Sequence, residues 1–184
     1  MLNITGSRVV VDPTYRYKMP RLEARIEGRG NGIRTCLWNM DEVADALNRP
    51  SDIVTKFFGV ELGAQSRWEA EAQKSTVNGA HTAADCQRLM NMFIDKFVLC
   101  PKCLLPETSL AVSLKKGVIF HKCSACGAKE QVDATHKLCT YIIKQAELAS
   151  AAAVKSQKSE KKEKGGEKKE KKEKKVRIII SMRL

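Results

Sequence analysis

The sequence lacks the motifs that mark the common nucleotide hydrolases and zinc proteases. It contains no phosphate loop of the form G-x-x-x-x-G-K-[ST] and no H-E-x-x-H pair, and its glycine-rich stretch GRGNG lacks the strand-loop-helix order of a dinucleotide fingerprint. Only three histidines are present, and no pair of acidic residues stands out as a general acid and base. We therefore expect no unaided nucleotide hydrolysis, and the chain is predicted not to be an enzyme by itself.

Long apolar runs are also missing. The N-terminus MLNITGSRVVVDP has no apolar segment of signal-peptide length, and no uncharged run approaches the roughly 20 residues of a membrane span. The sequence therefore predicts a cytoplasmic protein with no membrane partner, in which cysteines stay reduced. Cys36, Cys86 and Cys139 are each flanked by apolar residues and fit buried core thiols.

Positive charge is concentrated at the C-terminal end of the chain. The formal net charge is +12, and residues 155–184 alone hold thirteen basic and five acidic side chains. Such a Lys/Glu/Gly/Ser segment has too little apolar surface to offset the entropy of ordering, so it predicts disorder. Its basic balance suits a polyanionic neighbour such as RNA, and it equally suits a tail that keeps the protein soluble.

Four cysteines form the strongest motif in the chain. They occur as Cys100-x2-Cys103 and, nineteen residues later, Cys123-x2-Cys126. This spacing is that of a zinc ribbon, in which two knuckles supply four thiolates to one structural zinc ion. A closed site of this kind has no open position for catalytic water. His121 could compete as a ligand, but four thiolates already satisfy the metal.

The first half of the chain predicts a hairpin followed by two short helices. Residues 21–38 alternate as two strands around GRGNG, and Asn39 is placed to cap a helix over MDEVADALN that Pro50 closes. A second helix is expected from Ser51 through IVTKFF, stopped by Gly59. The corner between them could be a helix-turn-helix, although a short helical corner packed on a sheet is favoured.

A second hairpin and a longer helix are expected next. Residues 66–78 predict the hairpin, with its tip near Lys74, and Thr82 is expected to cap a helix that leads into the zinc site. The helix has a predicted buried stripe of Leu89, Met90, Phe93, Ile94 and Phe97. SLAVSL and GVIFHKC predict the ribbon strands, and ATHKLCTYIIKQAELASAAA predicts the last helix.

These elements predict an α+β fold in four parts. We expect a flexible N-terminal arm over residues 1–20 and a small α/β subdomain with β-hairpins and helices over residues 21–97. A four-cysteine zinc ribbon with a closing helix follows over residues 98–146. An Ala-rich extension and a Lys/Glu-rich disordered basic tail complete the chain over residues 147–184.

The first 34 residues carry a local excess of cations, seven basic against three acidic side chains. Within them, TYRYKMPR places Arg16 between two tyrosines. Such a segment could bind a phosphate backbone through counterion release and stacking, which composition alone favours. It could also deliver an arginine into another protein's active site, where a planar guanidinium stabilises a transferring phosphoryl group.

Taken in order, nine segments resemble one known family. They are YRYKMPRL, EGRGNGI, ALNRP, KFFGVELGAQ, VNGAH, KFVLCPKC, PET, CSACG and THKLCT. Their order and spacing resemble the N-terminal domain of eukaryotic translation initiation factor 5 over roughly residues 12–145. The beta subunit of initiation factor 2 is similar in layout, but its basic segments precede the shared domain. The C-terminal HEAT-repeat domain of the factor 5 family has no counterpart among these residues.

The resemblance implies a GTPase-activating role. The expected target is GTP-bound initiation factor 2 with initiator tRNA on the small ribosomal subunit, where the activity promotes start-codon selection. The implied partners therefore include initiation factor 2, the small subunit and its rRNA, the mRNA start-codon region and other initiation factors.

The resemblance also assigns site residues. Arg16 falls on the family's arginine-finger position, Arg34 on a position where the family often has a functionally important lysine, and Lys56 on another basic position tied to activity. The hairpin tip is expected near the codon and anticodon. The residues thereby implied in RNA binding are Arg25, Gly28, Arg29, Gly30 and Asn31, with Lys74 as a weaker candidate.

Two other functions remain open from the residues. The chain could be a non-catalytic RNA- and ribosome-binding scaffold resembling the beta subunit, in which Arg16 contacts phosphate. A zinc-ribbon transcription protein would share the metal motif, but it would share none of the other segments.

Overall fold

The computed structural model describes residues 1–10 and 12–160. It gives only the backbone of Asn31 and of residues 152–160. Most of the predicted Lys/Glu-rich disordered tail, residues 161–184, lies outside the described residues.

The described residues form an α+β fold, as the sequence predicts. The strands are β1 Leu2–Asn3, β2 Lys18–Met19, β3 Ala24–Glu27, β4 Arg34–Leu37, β5 Ser66–Glu69, β6 Lys74–Asn78, β7 Thr108–Ser113, β8 Val118–Cys123 and β9 Lys129–Gln131. The helices are α1 Met40–Ala46, α2 Ser51–Glu61, α3 Ala83–Phe97 and α4 Lys137–Glu160. Three antiparallel sheets have the orders β1-β2, β3-β4-β6-β5 and β7-β8-β9. No helix of the described chain is both long and apolar enough to cross a membrane.

Both predicted hairpins are confirmed, and they join edge to edge into one sheet. Strands β4 and β6 pair in the centre, with Cys36 opposite Thr76. The tip of the second hairpin precedes Lys74, which is the first residue of β6 and lies opposite Glu69. The sequence predicted each hairpin separately, because each is local, but it could not predict their pairing across about 40 residues.

Helices α2 and α3 cover one side of this sheet and form the aromatic centre of the core. Phe57, Phe93 and Phe97 are fully buried, and the Phe57 ring centroid lies 5.2 Å from that of Phe93 and 6.0 Å from that of Phe97. His136, which immediately precedes α4, stacks on Phe57 with a centroid distance of 5.3 Å. The five residues of the predicted stripe on α3 are all buried, so the predicted helical spacing of its apolar residues is confirmed.

The ends of the first two helices differ from the prediction. Helix α1 ends before Asn48, which adopts a left-handed φ of +53°, and not at Pro50, which is the residue preceding α2. Helix α2 continues through Gly59 to Glu61. Gly59 serves packing here, because a Cβ at this position would lie 2.4 Å from the Ser66 hydroxyl oxygen.

Asn39 precedes α1 but does not cap it through its side chain. Its amide oxygen accepts a hydrogen bond from the Glu23 backbone N–H at 2.8 Å, and its amide nitrogen donates to the Arg21 carbonyl at 2.8 Å. The side chain thus ties the start of the helix to the chain before β3. Thr82, by contrast, caps α3 as predicted, since its hydroxyl accepts from the Asp85 backbone N–H at 3.1 Å.

The N-terminal segment, residues 1–20, is anchored to the body near both of its ends. Ile4 and Met19 are buried in the core, and β1 pairs with β2 beside them. Ser7 donates its backbone N–H and its hydroxyl to Asp95 on α3. The sequence predicted a flexible arm over residues 1–20 and did not reveal these two anchors, because Ile4 and Met19 alternate with polar neighbours too briefly to signal burial.

The ribbon contains one strand that the sequence did not reveal. Strand β9 pairs with β8 on the side away from β7, with Glu130 opposite His121. Its sequence, Lys-Glu-Gln, carries no strand signal. Helix α4 contacts β7, β8 and α2, and it continues to Glu160, past the start of the Lys/Glu-rich segment.

Candidate functional site

The four predicted metal ligands converge at the base of the ribbon. The sulfur atoms of Cys100, Cys103, Cys123 and Cys126 all lie within 4.8 Å of one another. Two of these separations are 3.7 Å, between Cys100 and Cys126, and 3.6 Å, between Cys103 and Cys123. Zinc–sulfur bonds of about 2.3 Å in a tetrahedron require sulfur separations of about 3.8 Å. The donor set therefore fits one structural zinc ion.

The surroundings shift the acidity of two of these thiols in opposite directions. Burial raises the pKa of the Cys100 thiol, but backbone N–H groups of Cys103 and Lys102 and the neighbouring thiols outweigh this effect and bring the pKa down to about 7. At Cys103 the Leu105 backbone N–H group lowers the pKa, but burial and hydrogen bonds with neighbouring thiols outweigh it and raise the pKa to about 12. The thiolate is the form that binds zinc. The ligand cluster does not include His121, in agreement with the sequence analysis.

Arg49, which sequence reasoning missed, joins the α/β body to the ribbon. It is 5% exposed, and each of its N–H groups has an acceptor. The guanidinium binds the Phe97 carbonyl at 2.8 and 3.1 Å and the Thr108 carbonyl at 2.6 Å. Further bonds reach the Thr108 hydroxyl and the Asn48 carbonyl. Arg49 thus bridges the end of α3 and the first residue of β7.

The backbone conformation around Arg49 explains why its side chain leaves the end of α1 toward the ribbon. The Arg49 N–H bonds the Ala44 carbonyl at 3.0 Å, which closes a Schellman turn around left-handed Asn48. Burial lowers the pKa of Arg49 to about 10, which still leaves it charged at neutral pH. Burial, together with the positive charge of Arg49, lowers the pKa of His121 to about 4. The imidazole of His121 is therefore neutral beside the guanidinium.

Replacing Arg49 with methionine should destabilise the protein by about 3 kcal/mol or more, because the carbonyls of Phe97 and Thr108 would lose their buried partners. Urea unfolding with zinc present measures this free energy. Arg88→Met is the matched control, since Arg88 is exposed and its ion pair with Asp85, at 3.0 Å, lies on the surface. The control should change stability by no more than about 0.5 kcal/mol. Equal losses for both variants would contradict the bridging role of Arg49.

Arg16 lies exposed between two tyrosines that are themselves held in place. The Tyr15 hydroxyl donates to the Ile4 carbonyl at 3.1 Å, and the Tyr17 hydroxyl donates to Glu107 on the ribbon side. The two rings meet edge to face with centroids 5.6 Å apart, and the Arg16 guanidinium carbon lies 6.0 Å from the Tyr17 centroid. The Arg16 guanidinium is therefore exposed to solvent, while the tyrosines on either side of it are held by hydrogen bonds.

The other two predicted activity residues lie in different settings. Arg34 begins β4 and forms an ion pair with Glu27 at 3.8 Å. Lys56 lies on α2, with its ammonium 5.7 Å from the centroid of Tyr141 on α4. No hydrogen bond, ion pair or cation–π contact within the described residues joins Arg16, Arg34 and Lys56. They lie on three different parts of the fold: the segment before β2, the start of β4 and helix α2.

The predicted RNA-binding tip is a tight glycine turn. Gly28 has φ +88°, and a Cβ there would lie 2.4 Å from the Gly32 carbonyl oxygen, so only glycine fits without a shift. Residues Gly30–Gly32, with Asn31 between them, form a short 3-10 turn, and Arg29 is exposed beside it. Arg25 lies on β3, the strand that leads into the tip, three residues before Gly28. Lys74 is drawn toward this hairpin by Glu27, whose carboxylate it meets at 3.1 Å.

Comparison with known proteins gives a consistent picture. A family model for a domain found in initiation factors 2B and 5 matches residues 7–129. Eukaryotic translation initiation factor 5 of Mus musculus is 50% identical over 143 residues, which cover 78% of this chain and 33% of the relative. The Drosophila melanogaster protein of the same name is 47% identical over 153 residues, covering 83% of this chain and 33% of the relative. The Saccharomyces cerevisiae protein is 44% identical over 133 residues, covering 72% and 33%. The chain thus spans about a third of the length of these relatives.

Proposed function

This chain belongs to the family defined by the domain of initiation factors 2B and 5 and carries the N-terminal domain of eukaryotic translation initiation factor 5, and on that premise we propose that it acts in translation initiation as a GTPase activator. Its target is GTP-bound initiation factor 2 carrying initiator tRNA on the small ribosomal subunit. Hydrolysis there commits the complex to a start codon.

The observation that carries this proposal is the presentation of Arg16. An arginine that acts in another protein's nucleotide pocket must be solvent-exposed, permanently charged and free of an internal carboxylate partner. Arg16 is exposed and forms no ion pair with an acidic side chain of the described chain. The tyrosines on either side are anchored to Ile4 and Glu107, which fixes the base from which Arg16 extends.

Zinc has an architectural part in this proposal. When bound, it holds the two cysteine knuckles together and so stabilises the ribbon. The ribbon supplies Glu107, which positions Tyr17, and Thr108, which receives Arg49. The metal site thereby helps to position Tyr17, the neighbour of Arg16, through Glu107. It takes no part in the reaction.

A non-catalytic scaffold is the second candidate function. The exposed cations of the hairpin and sheet, together with the glycine tip, favour contact with RNA whether or not Arg16 acts on GTP. On this alternative Arg16 binds phosphate and contributes to ribosome affinity only.

Single-turnover GTP hydrolysis tests the proposal. The complex of initiation factor 2, GTP and initiator tRNA is assembled on small subunits with mRNA, and hydrolysis is followed with and without the 184-residue chain. We expect the chain to accelerate hydrolysis, and we expect the chain with GTP alone to show none. Binding to the complex without any acceleration would support the scaffold instead.

A further inference from the structure

The four-stranded sheet has one covered face and one open face. The Thr55 hydroxyl of α2 and the Ser75 hydroxyl of β6 lie 2.8 Å apart, which turns the Ser75 side of the sheet toward the helices. Leu37, opposite Ser75, is fully buried on that side. Because side chains alternate along a strand, Lys74 and Thr76 belong to the other face. No helix of the described chain packs on that face.

The open face is rich in cations. Across its four strands it carries Arg25, Arg34, Arg67 and Lys74, against Glu27 and Glu69. The Arg34 and Arg67 side chains are 55% and 78% exposed. Since each cation comes from a different strand or strand end, the positive charge extends across the sheet and is not confined to the hairpin tip.

A half-exposed tryptophan lies among these cations. Trp38 immediately follows β4 and is 49% exposed. The Arg25 guanidinium carbon lies 5.3 Å from its ring centroid, and the Lys74 ammonium lies 5.2 Å away. These cation–π contacts hold two charges beside one aromatic surface. Stacking of a base on an aromatic ring, with phosphates on adjacent cations, is the usual pattern of single-strand binding.

The open face continues into a groove at the opposite end of β4. Gly30, Gly32, Arg34 and Gly79 contribute to a cleft of about 590 Å³ between the hairpin tip and the loop after β6. Glycines at this wall let a ligand approach the backbone closely. On the sheet face beside this groove, the Glu27 carboxylate pairs with Lys74 at 3.1 Å and with Arg34 at 3.8 Å. These pairs show that one anionic group can contact both cations at this place.

We propose that the open sheet face binds single-stranded RNA, with Trp38 stacking on an unpaired base and the surrounding cations contacting phosphates. This surface shares Arg25, Lys74 and the tip glycines with the RNA-binding residues that the resemblance implies, and it adds Trp38 and Arg67. It is independent of the role of Arg16. An acidic protein segment would satisfy the cations, but it would make no use of the indole. The presence of both on one face therefore favours RNA.

Tryptophan fluorescence tests this contact locally. The chain has two tryptophans, and Trp68 lies partly buried against the core on the covered face. In the Trp68→Phe variant of the full chain, the emission comes from Trp38 alone. We expect titration with an unstructured oligouridine of about 12 nucleotides, within the range of single-strand site sizes, to quench this emission, with the same midpoint as RNA binding measured by anisotropy. The lysines of the tail also attract RNA, but their binding alone leaves Trp38 emission unchanged.

Substitutions separate stacking from charge. Trp38→Ala should weaken oligouridine binding by about 5- to 150-fold, since stacking on one aromatic contributes on this scale, and Trp38→Phe should retain most of the affinity. Arg67→Ala should reduce the slope of log affinity against log salt by about 0.7. Lys115→Ala removes the same charge from an exposed ribbon turn and should leave this slope unchanged.

Three outcomes would overturn the proposal. The first is unchanged oligouridine affinity in Trp38→Ala, and the second is Trp38 emission that stays constant while RNA binds. The third is polyglutamate that quenches Trp38 with the same midpoint as oligouridine, which would identify the face as a site for acidic protein. None of these measurements depends on GTP hydrolysis, so the proposal can fail while the GTPase-activating role stands, and the reverse also holds.

Discussion

Replacing Arg16 with alanine should reduce the stimulated rate of GTP hydrolysis by about 10³- to 10⁵-fold, the range over which arginine fingers contribute. This corresponds to about 4–7 kcal/mol of transition-state stabilisation. The physical reason is that the planar guanidinium binds two oxygens of the transferring phosphoryl group as their charge grows. Arg16→Lys should also lose most of the stimulation, because a single ammonium does not reproduce the two-pronged contact. Single-turnover hydrolysis at saturating variant protein measures both effects.

Arg8→Ala is the matched control for this experiment. It removes the same charge from the same N-terminal segment, but the Arg8 guanidinium bonds the Leu104 carbonyl of the ribbon at 3.1 Å. Stimulation by Arg8→Ala should stay close to that of the unsubstituted chain. If Arg16→Ala stimulates hydrolysis normally but binds the ribosomal complex with a smaller salt dependence, Arg16 is a phosphate contact and the scaffold function holds.

Removing zinc should unfold the ribbon before the rest of the protein. Structural zinc contributes about 10–16 kcal/mol in finger peptides at neutral pH, more than the whole stability of most small domains. The ribbon has short strands and little core of its own, so without metal we expect residues 98–128 to lose protection first. The four-stranded sheet keeps the aromatic core formed with α2 and α3 and should remain protected longer.

Hydrogen exchange with and without a chelator measures this order directly, and native mass spectrometry should give one zinc ion per chain. Cys103→Ser should lose the ion and expose the ribbon in the same way. Cys86→Ala is the control, because Cys86 is a buried thiol on α3 outside the ligand cluster, and it should keep the ion. Simultaneous loss of protection in the ribbon and the sheet would show that the two parts unfold as one unit. Retention of zinc by Cys103→Ser would contradict the ligand assignment.

Local features of the sequence were read correctly because their causes are local. The two hairpins follow from alternation around glycine and polar turns, and α3 follows from its cap at Thr82 and its apolar period. The spacing of the four cysteines predicted their cluster, since each C-x2-C pair turns two thiolates toward one point. The three remaining cysteines are buried as expected.

Local reasoning failed where a tertiary contact replaced the usual role of a residue. Gly59 reads as a helix stop, but it lies inside α2 because Ser66 packs against it. Asn39 reads as a cap, but its amide binds the chain before β3. Strand β9 has no strand signal of its own and forms only because β8 offers an edge for pairing. In each case the partner lies outside the segment itself, so no pattern within that segment reports it.

The sequence alone determined the class of the protein: its four-cysteine cluster, its hairpins, its cationic N-terminal segment and its resemblance to one family. These depend on residue type and spacing, which the chain carries without folding. Only the tertiary structure decided that Ile4 and Met19 anchor the segment bearing Arg16, that Arg49 joins body to ribbon, and that Trp38 lies among cations from neighbouring strands. Those relations arise from burial and from pairing between distant segments, and both exist only once the chain has closed on itself.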